Sequence, residues 1–187
     1  GETRRRMKMN DAWGFKHYNG CQWFPKLSVY DRMHGWDTYQ HLNREFYGDY
    51  GLFDVTLDFP SNYVVDASGE LENRKEVLPD DLRAKLDLKN FATKKGSEAP
   101  STIIPYVKGE RKKWHFVANN VHDFAFTADP SYRIGTTYWN GIECVAIVQE
   151  PHAAGWQNAP EYVAKIIKTF SQDIGQYCYP KMVAADA

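Results

Sequence analysis

The sequence lacks the features that define several large protein classes. None of its apolar runs approaches the roughly 18 residues needed to cross a bilayer, so no membrane span is predicted. The net charge of −1 gives no overall field that would attract nucleic acid or anionic lipid. The basic cluster of Arg4, Arg5, Arg6 and Lys8 is confined to the N-terminus, as is typical of a solvated tail.

Cysteine is also scarce. The three cysteines are Cys21, Cys144 and Cys178. They are odd in number, lie far apart and have no CxxC spacing, so they predict neither a disulfide framework nor a redox motif. The compartment therefore stays open. The N-terminal Gly1 without a methionine favours a processed chain and an exported or periplasmic location over the cytoplasm.

The signatures of common catalytic centres are missing too. There is no HExxH, no GxSxG and no glycine-rich phosphate loop. His41 and Glu45 have helical spacing but no third ligand, which indicates a structural pair. His122 and Asp123 are adjacent in a predicted strand, where neighbouring side chains point to opposite faces, so they predict no catalytic couple. We therefore expect no catalytic residue and no metal ligand in this sequence.

What the sequence does have is aromatic residues, at 15%, and alternating apolar and polar runs. The clearest strand covers residues 53–59, and a second follows over 63–67. Further strands are predicted for residues 23–30, 114–118, 121–128, 132–139 and 142–149. Asn140–Gly141 between the last two is a hairpin signal. Short strands separated by turns predict a mainly β fold, built as an antiparallel sheet or sandwich.

Two segments have helical periodicity instead. Leucines at every fourth position predict a short helix over residues 78–86, followed by a surface loop over 89–100. The stronger helix is predicted for residues 158–174, with Asn158 as its cap and an end at Gly175. One apolar face is expected to contain Val163, Ile166, Ile167, Phe170 and Ile174. Another strand is predicted to begin near residue 179.

Four segments resemble the N-terminal domain of the aminopeptidase N family of zinc metallopeptidases, which includes the leukotriene hydrolases. Their order and spacing extend over about 160 residues. They are GCQWFPKLSVYD at 20–31, EFYGDYGLFDV at 45–55 with PSNYVV at 60–65, NVHDFAFTADP at 120–130, and GQYCYPK at 175–181.

The resemblance implies a saddle-like β domain at residues 1–153, which contributes one wall of a peptide-binding cleft. It also implies that residues 154–187 begin a thermolysin-like catalytic domain. In that family the exopeptidase and HExxH motifs come later, and this sequence ends before them. Zinc is therefore expected in the full-length enzyme, and this part alone is expected to be inactive. Gln22 matches the family's Gln or Glu near the substrate's free amino end, and is the expected substrate-binding residue.

Other functions remain open. A free-standing β-sandwich that binds carbohydrate or protein would use exposed aromatic rings as stacking faces. The candidate rings are Trp13, Trp23, Trp36, Trp139 and Trp156. A non-catalytic peptidase homologue is a further alternative. The expected partners are a peptide substrate and the chain's own catalytic domain, and helix 158–174 is expected to dock on a sheet edge or on a second copy.

Overall fold

The computed structural model describes residues 3–4, 7–38 and 47–186, and strands dominate this part of the chain. The strands are β1 (Thr3–Arg4), β2 (Met7–Ala12), β3 (Phe15–Gly20), β4 (Tyr30–Asp31), β5 (Gly35–Trp36), β6 (Gly51–Pro60), β7 (Val64–Ala67), β8 (Glu70–Leu71), β9 (Arg111–Val121), β10 (Phe126–Asp129), β11 (Tyr132–Trp139), β12 (Ile142–Gln149) and β13 (Lys181–Ala185). The helices are α1 (Arg74–Val77), α2 (Asp80–Lys85) and α3 (Ala159–Asp173), with 3₁₀ turns at Leu88–Phe91 and Glu150–Trp156. The predicted mainly β class is confirmed.

Antiparallel pairing builds most of the structure. One sheet has the strand order β1-β2-β3-β10-β7, a second has the order β6-β9-β8, and β4 pairs with β5 in a two-stranded ribbon. In β6 the side chains of Asp54 and Asp58 are exposed, whereas Leu57 between them is buried. This is the alternation that the sequence predicts for a strand with one solvated face.

A third sheet, of order β11-β12-β13, contains the parallel pair β12–β13. β11 and β12 form the predicted hairpin, and its turn residues Asn140 and Gly141 have φ of 48° and 79°, as a type I′ turn requires. Helix α3 then crosses over the sheet and returns the chain to β13, beside β12. The predictions of the helix and of the strand after it are confirmed.

The main apolar core combines residues from all three sheets. Trp114 and Phe116 of β9 are fully buried in it, together with Val64 of β7 and Tyr132 of β11. A smaller cluster joins α3 to β12, through Val163 and Ile167 on the helix. Full burial of an aliphatic side chain of this size contributes about 1.5–3 kcal/mol.

Helix α3 begins close to the third sheet, and only part of its apolar face is buried. Gly135 permits the close approach, because a Cβ there would lie 2.7 Å from the Pro160 ring. Only Val163 and Ile167 of the predicted apolar face are buried. Ile166, Phe170 and Ile174 belong to the same face by helical periodicity but are exposed. The predicted apolar face is therefore only partly covered by the rest of the described chain. Self-association through this helix stays a prediction.

Three local expectations need correction. Residues 23–29 are not a strand, because they do not pair with a neighbouring strand. Side-chain hydrogen bonds hold this segment against the rest of the protein, and Trp23 Nε1, for example, donates to Phe124 O at 3.0 Å. Asn119 and Asn120 do not separate two strands but lie inside β9, where the register shifts and Asn120 has a φ of 55°. Such a β-bulge keeps the strand continuous. In place of one helix over 78–86, α1 and α2 meet on either side of Leu78 and Pro79.

The expected loop over 89–100 starts within a 3₁₀ turn and is held by Lys94, whose Nζ lies 2.8 Å from Glu150 Oε1. No helix within the described residues is long and apolar enough to cross a membrane. The division at residue 153 stays a prediction. Helix α3, which lies after that position, packs on β11 and β12, which lie before it.

Candidate functional site

A trough of about 870 Å³ lies at the junction of the three sheets. Its walls come from residues 19–21, 66–70, 117–123 and 177–183. These segments are brought together because β3, β7 and β10 belong to one sheet, β9 to a second and β13 to the third. The volume lies within the range of about 300–1,000 Å³ that is common for ligand sites.

The trough lining carries more negative than positive charge. Lys181 Nζ lies 2.7 Å from Asp66 Oδ1 and donates to Ala67 O at 2.9 Å. Asp123, which also lines the trough, has its Oδ1 atom 3.1 Å from Lys26 Nζ. Glu70 also lines the trough, is exposed, and makes no ion pair within the described part of the chain. Because Glu70 lacks a partner, the trough is suited to a cationic group.

Gln22, the expected substrate-binding residue, follows the trough-lining residue Cys21 and is held at a local energetic cost. Its backbone has a φ of 49°, in the left-handed region that costs a non-glycine residue about 1–2 kcal/mol. Its Oε1 atom is buried and has no hydrogen-bond partner among the residues that the structure describes. Costly conformations and unpaired buried polar atoms are concentrated at functional sites in proteins. Gln22 is therefore a candidate ligand contact.

The sequence contains two histidine–carboxylate pairs that were considered as possible sites, and the structure describes only one of them. His41 and Glu45 lie outside the described residues. His122 and Asp123 lie in the loop after β9, so the argument that strand geometry separates them was wrong. Both line the trough, but Lys26 engages them, through the Asp123 carboxylate and through the carbonyl oxygen of His122 at 3.1 Å.

The described residues do not contain a cluster of side chains suited to binding a metal ion. In residues 3–4, 7–38 and 47–186, no three His, Cys, Asp or Glu side chains are arranged to hold a metal ion. The histidines and carboxylates of this part of the chain therefore do not form a donor set that fits zinc.

A buried His–Asp pair contacts the trough-lining residue Asn19 and was not predicted from the sequence. His17 Nδ1 lies 2.9 Å from Asp129 Oδ2, and the two residues are 2% and 0% exposed. Asn19 Nδ2 lies 2.8 Å from His17 Nε2, and Gln149 Nε2 lies 3.0 Å from His17 Nδ1. Asp129 also accepts from the backbone and side chain of Ser131 at 2.6 Å. Because these groups satisfy one another away from solvent, their role is structural.

The polar network continues to the end of β13. Tyr132 donates its hydroxyl to Asp186 O at 2.8 Å and also contacts the hydroxyl of Thr127, a residue of the trough lining. Burial raises the pKa of Tyr132 above its ordinary value, so this group stays protonated. Asp186 Oδ2 in turn lies 2.6 Å from His152 Nδ1. The trough floor and the strand β13 are thus connected by hydrogen bonds.

A second buried network holds the neighbouring loop. Arg133 and Glu150 are both fully buried and form an ion pair. Burial would raise the pKa of Glu150, but hydrogen bonds from Lys94 and Ser101 and the charge of Arg133 outweigh it, so the pKa is lowered. Glu150 is therefore a buried carboxylate in its ionised form, bound on several sides.

Comparison with known proteins does not assign the chain. No protein-family model and no curated protein match this sequence.

The tryptophans that a carbohydrate- or protein-binding module would use as stacking faces are not all exposed. Trp23 is half-buried, and its ring packs edge-on against Phe126. Trp13 and Trp36 are exposed, and Trp36 makes an edge contact with the exposed ring of Tyr30. A ring that packs in the core cannot offer a free stacking face.

Proposed function

We propose that this chain is the substrate-side β domain of a zinc-dependent aminopeptidase, in which Gln22 receives the free amino end of a peptide. The observation that carries the proposal is the buried Oε1 of Gln22, which has no partner within the described residues. The resemblance of four sequence segments to the aminopeptidase N family supports the same function.

The chemistry of Gln22 suits a peptide amino end. An amide oxygen accepts hydrogen bonds and an ammonium group donates them, so the ligand would satisfy the atom that the protein leaves unpaired. An unsatisfied buried acceptor costs about 1–3 kcal/mol, and a bound donor would recover part of that cost. Glu70 adds a negative charge in the adjoining trough. Positive amino ends are therefore favoured over acetylated ones.

The proposal gives this chain a binding role and no chemical step. The described residues offer no donor set for zinc, so the metal and the general base would come from polypeptide outside this sequence. Zinc in such an enzyme polarises the scissile carbonyl and activates water. The residues of this chain would bind the peptide and orient its amino end.

The test uses the product of the complete gene that encodes this chain. With zinc, it should hydrolyse aminoacyl p-nitroanilides, and it should not hydrolyse their N-acetyl analogues. Gln22→Ala should raise KM about tenfold, equivalent to about 1.4 kcal/mol of lost binding, with a smaller change in kcat. Gln172→Ala is the matched control, because Gln172 is exposed on α3 and outside the trough lining.

Two results would contradict the proposal. One is a complete gene product that has no zinc-dependent hydrolysis of free-amine substrates. The other is turnover by the 187-residue chain alone with added zinc, since this would require a catalytic centre within it. An unchanged KM in Gln22→Ala would refute only the role of that side chain.

A further inference from the structure

We propose that the outer edge of β13 binds an extended peptide with a free amino end as an additional β-strand. This inference rests on the proposed function and specifies how the trough would hold the peptide backbone. Three observations carry it: the direction of the β13 backbone groups, the position of β13 in the trough, and the charge of the lining.

The backbone groups of β13 alternate between two edges. Pro180 O accepts from Glu143 N at 2.8 Å, and Asp186 N donates to Ile147 O at 2.9 Å. With the parallel register between β12 and β13, these bonds direct the even-numbered residues 180–186 toward β12. The odd-numbered residues of β13 therefore direct their N–H and C=O groups to the other edge. Within the described residues, no strand pairs with that edge.

The outward-directed residues all line the trough. They are Lys181, Val183 and Ala185. Tyr177 donates its hydroxyl to Lys181 O at 3.1 Å, which leaves Val183 and Ala185 with both backbone groups directed outward and Lys181 with its N–H. A strand of about five residues, at about 3.3 Å per residue, is long enough to pair with these groups. Peptide capture on a sheet edge is a recurrent recognition mode, in which main-chain bonds supply affinity.

The charge of the lining selects among extended peptides. Asp66, Glu70 and Asp123 contribute carboxylates, whereas Lys181 contributes the single ammonium among the described lining residues. Since Lys181 is already paired with Asp66, an added positive group meets uncompensated negative charge at Glu70. An α-ammonium group is complementary to this lining, and a C-terminal carboxylate is not.

The test titrates the 187-residue chain with the pentapeptide Ala-Val-Ala-Val-Ala-amide, followed by backbone amide NMR. Binding should shift the amide signals of Val183 and Ala185, and acetylation of the peptide should weaken it. Val183→Pro removes an outward N–H without removing a β12 bond, and should weaken binding about tenfold. Val183→Thr keeps the N–H and the side-chain shape, so it should bind like the wild type.

A second measurement avoids any loss of fold in the proline variant. On the wild-type chain, peptides with an N-methyl group on alternate residues should fall into a binding and a non-binding register, because only one set of amides faces β13. Equal binding by all N-methylated peptides, or by Val183→Pro with a native spectrum, would overturn the edge site. Shifts confined to the surroundings of Gln22 would also overturn it, while leaving the proposed function intact. Absence of peptide binding by the wild-type chain would overturn this inference, whereas the hydrolysis assay decides the proposed function separately.

Discussion

Substitution of Gln22 should stabilise the protein, contrary to the usual effect at a half-buried position. Gln22→Ala removes a buried acceptor without a described partner, which is worth about 1–3 kcal/mol. It also removes partly buried methylene groups, at a loss of about 1 kcal/mol. We therefore expect a net gain of about 1 kcal/mol in the free energy of unfolding.

Gln22→Gly separates the backbone contribution from the side-chain contribution. Glycine adopts the left-handed conformation at φ 49° without strain, which should stabilise the folded protein by about 1–2 kcal/mol. It also makes the unfolded chain more flexible, which should destabilise the protein by about 0.5–1 kcal/mol. The free energy of unfolding of Gln22→Gly should therefore be about 0.5 kcal/mol higher than that of Gln22→Ala. For a chain of this length, the combined gain of about 1.5 kcal/mol corresponds to a rise in Tm of about 3–6 °C.

Urea unfolding and differential scanning calorimetry measure both variants against the wild type. Gln172→Ala serves again as the exposed control, with an expected change below about 0.5 kcal/mol. If Gln22→Ala lowers the free energy of unfolding by 1 kcal/mol or more, its amide is engaged in the free protein. The argument that a ligand satisfies it would then fail.

Three further predictions concern the buried groups and the thiols. Glu150→Gln removes the ion-pair partner of the buried Arg133 guanidinium and should cost about 3–5 kcal/mol in urea unfolding. The pKa of Glu150 is lower in the folded protein than in the unfolded chain, so this carboxylate stabilises the fold fully at pH values above its ordinary pKa of about 4.3. That stabilisation should be lost as the pH falls through the folded pKa. The wild type should therefore lose more stability on acidification than Glu150→Gln. Cys21, which is exposed, should react with a thiol reagent in the native protein. Cys144 should react only after denaturation, because it is buried and burial raises the pKa of its thiol. Equal reaction rates for the two cysteines would contradict this packing. Tyr132→Phe should cost about 1–3 kcal/mol by calorimetry, because Asp186 O loses its donor, and a neutral result would refute the network.

Elements with a local signal were predictable from the sequence. The alternation in β6, the Asn140–Gly141 turn and the periodicity of α3 each depend on residues close together in the chain, and each is present in the structure. Asn158 precedes α3 as predicted, but its side chain makes no capping hydrogen bond. Residues 23–29 were mistaken for a strand because aromatic residues with strand propensity there are held by side-chain contacts and not by a ladder.

The candidate site was less predictable, because its parts are distant in sequence. The His17–Asp129 pair joins residues 112 positions apart, and no local pattern signals it. The trough likewise needs the relative placement of three sheets, which is set by the packing of the core and not by any one segment. Gln22 was singled out through resemblance, whereas its left-handed backbone and unpaired Oε1 are properties of the fold.

Both ends of β13 are held by side chains, and this affects how well its outer edge would bind a ligand. At the start, Lys181 is paired with Asp66 of β7; just beyond the end, Asp186 O accepts from Tyr132, whose hydroxyl contacts Thr127 of β10. A strand held at both ends loses little conformational freedom when a further strand is added, so more of the hydrogen-bond energy remains as affinity. Loosening the end at Asp186 should therefore weaken peptide binding, although Asp186 lies outside the trough lining. The polar networks around the trough would thus serve stability and recognition together.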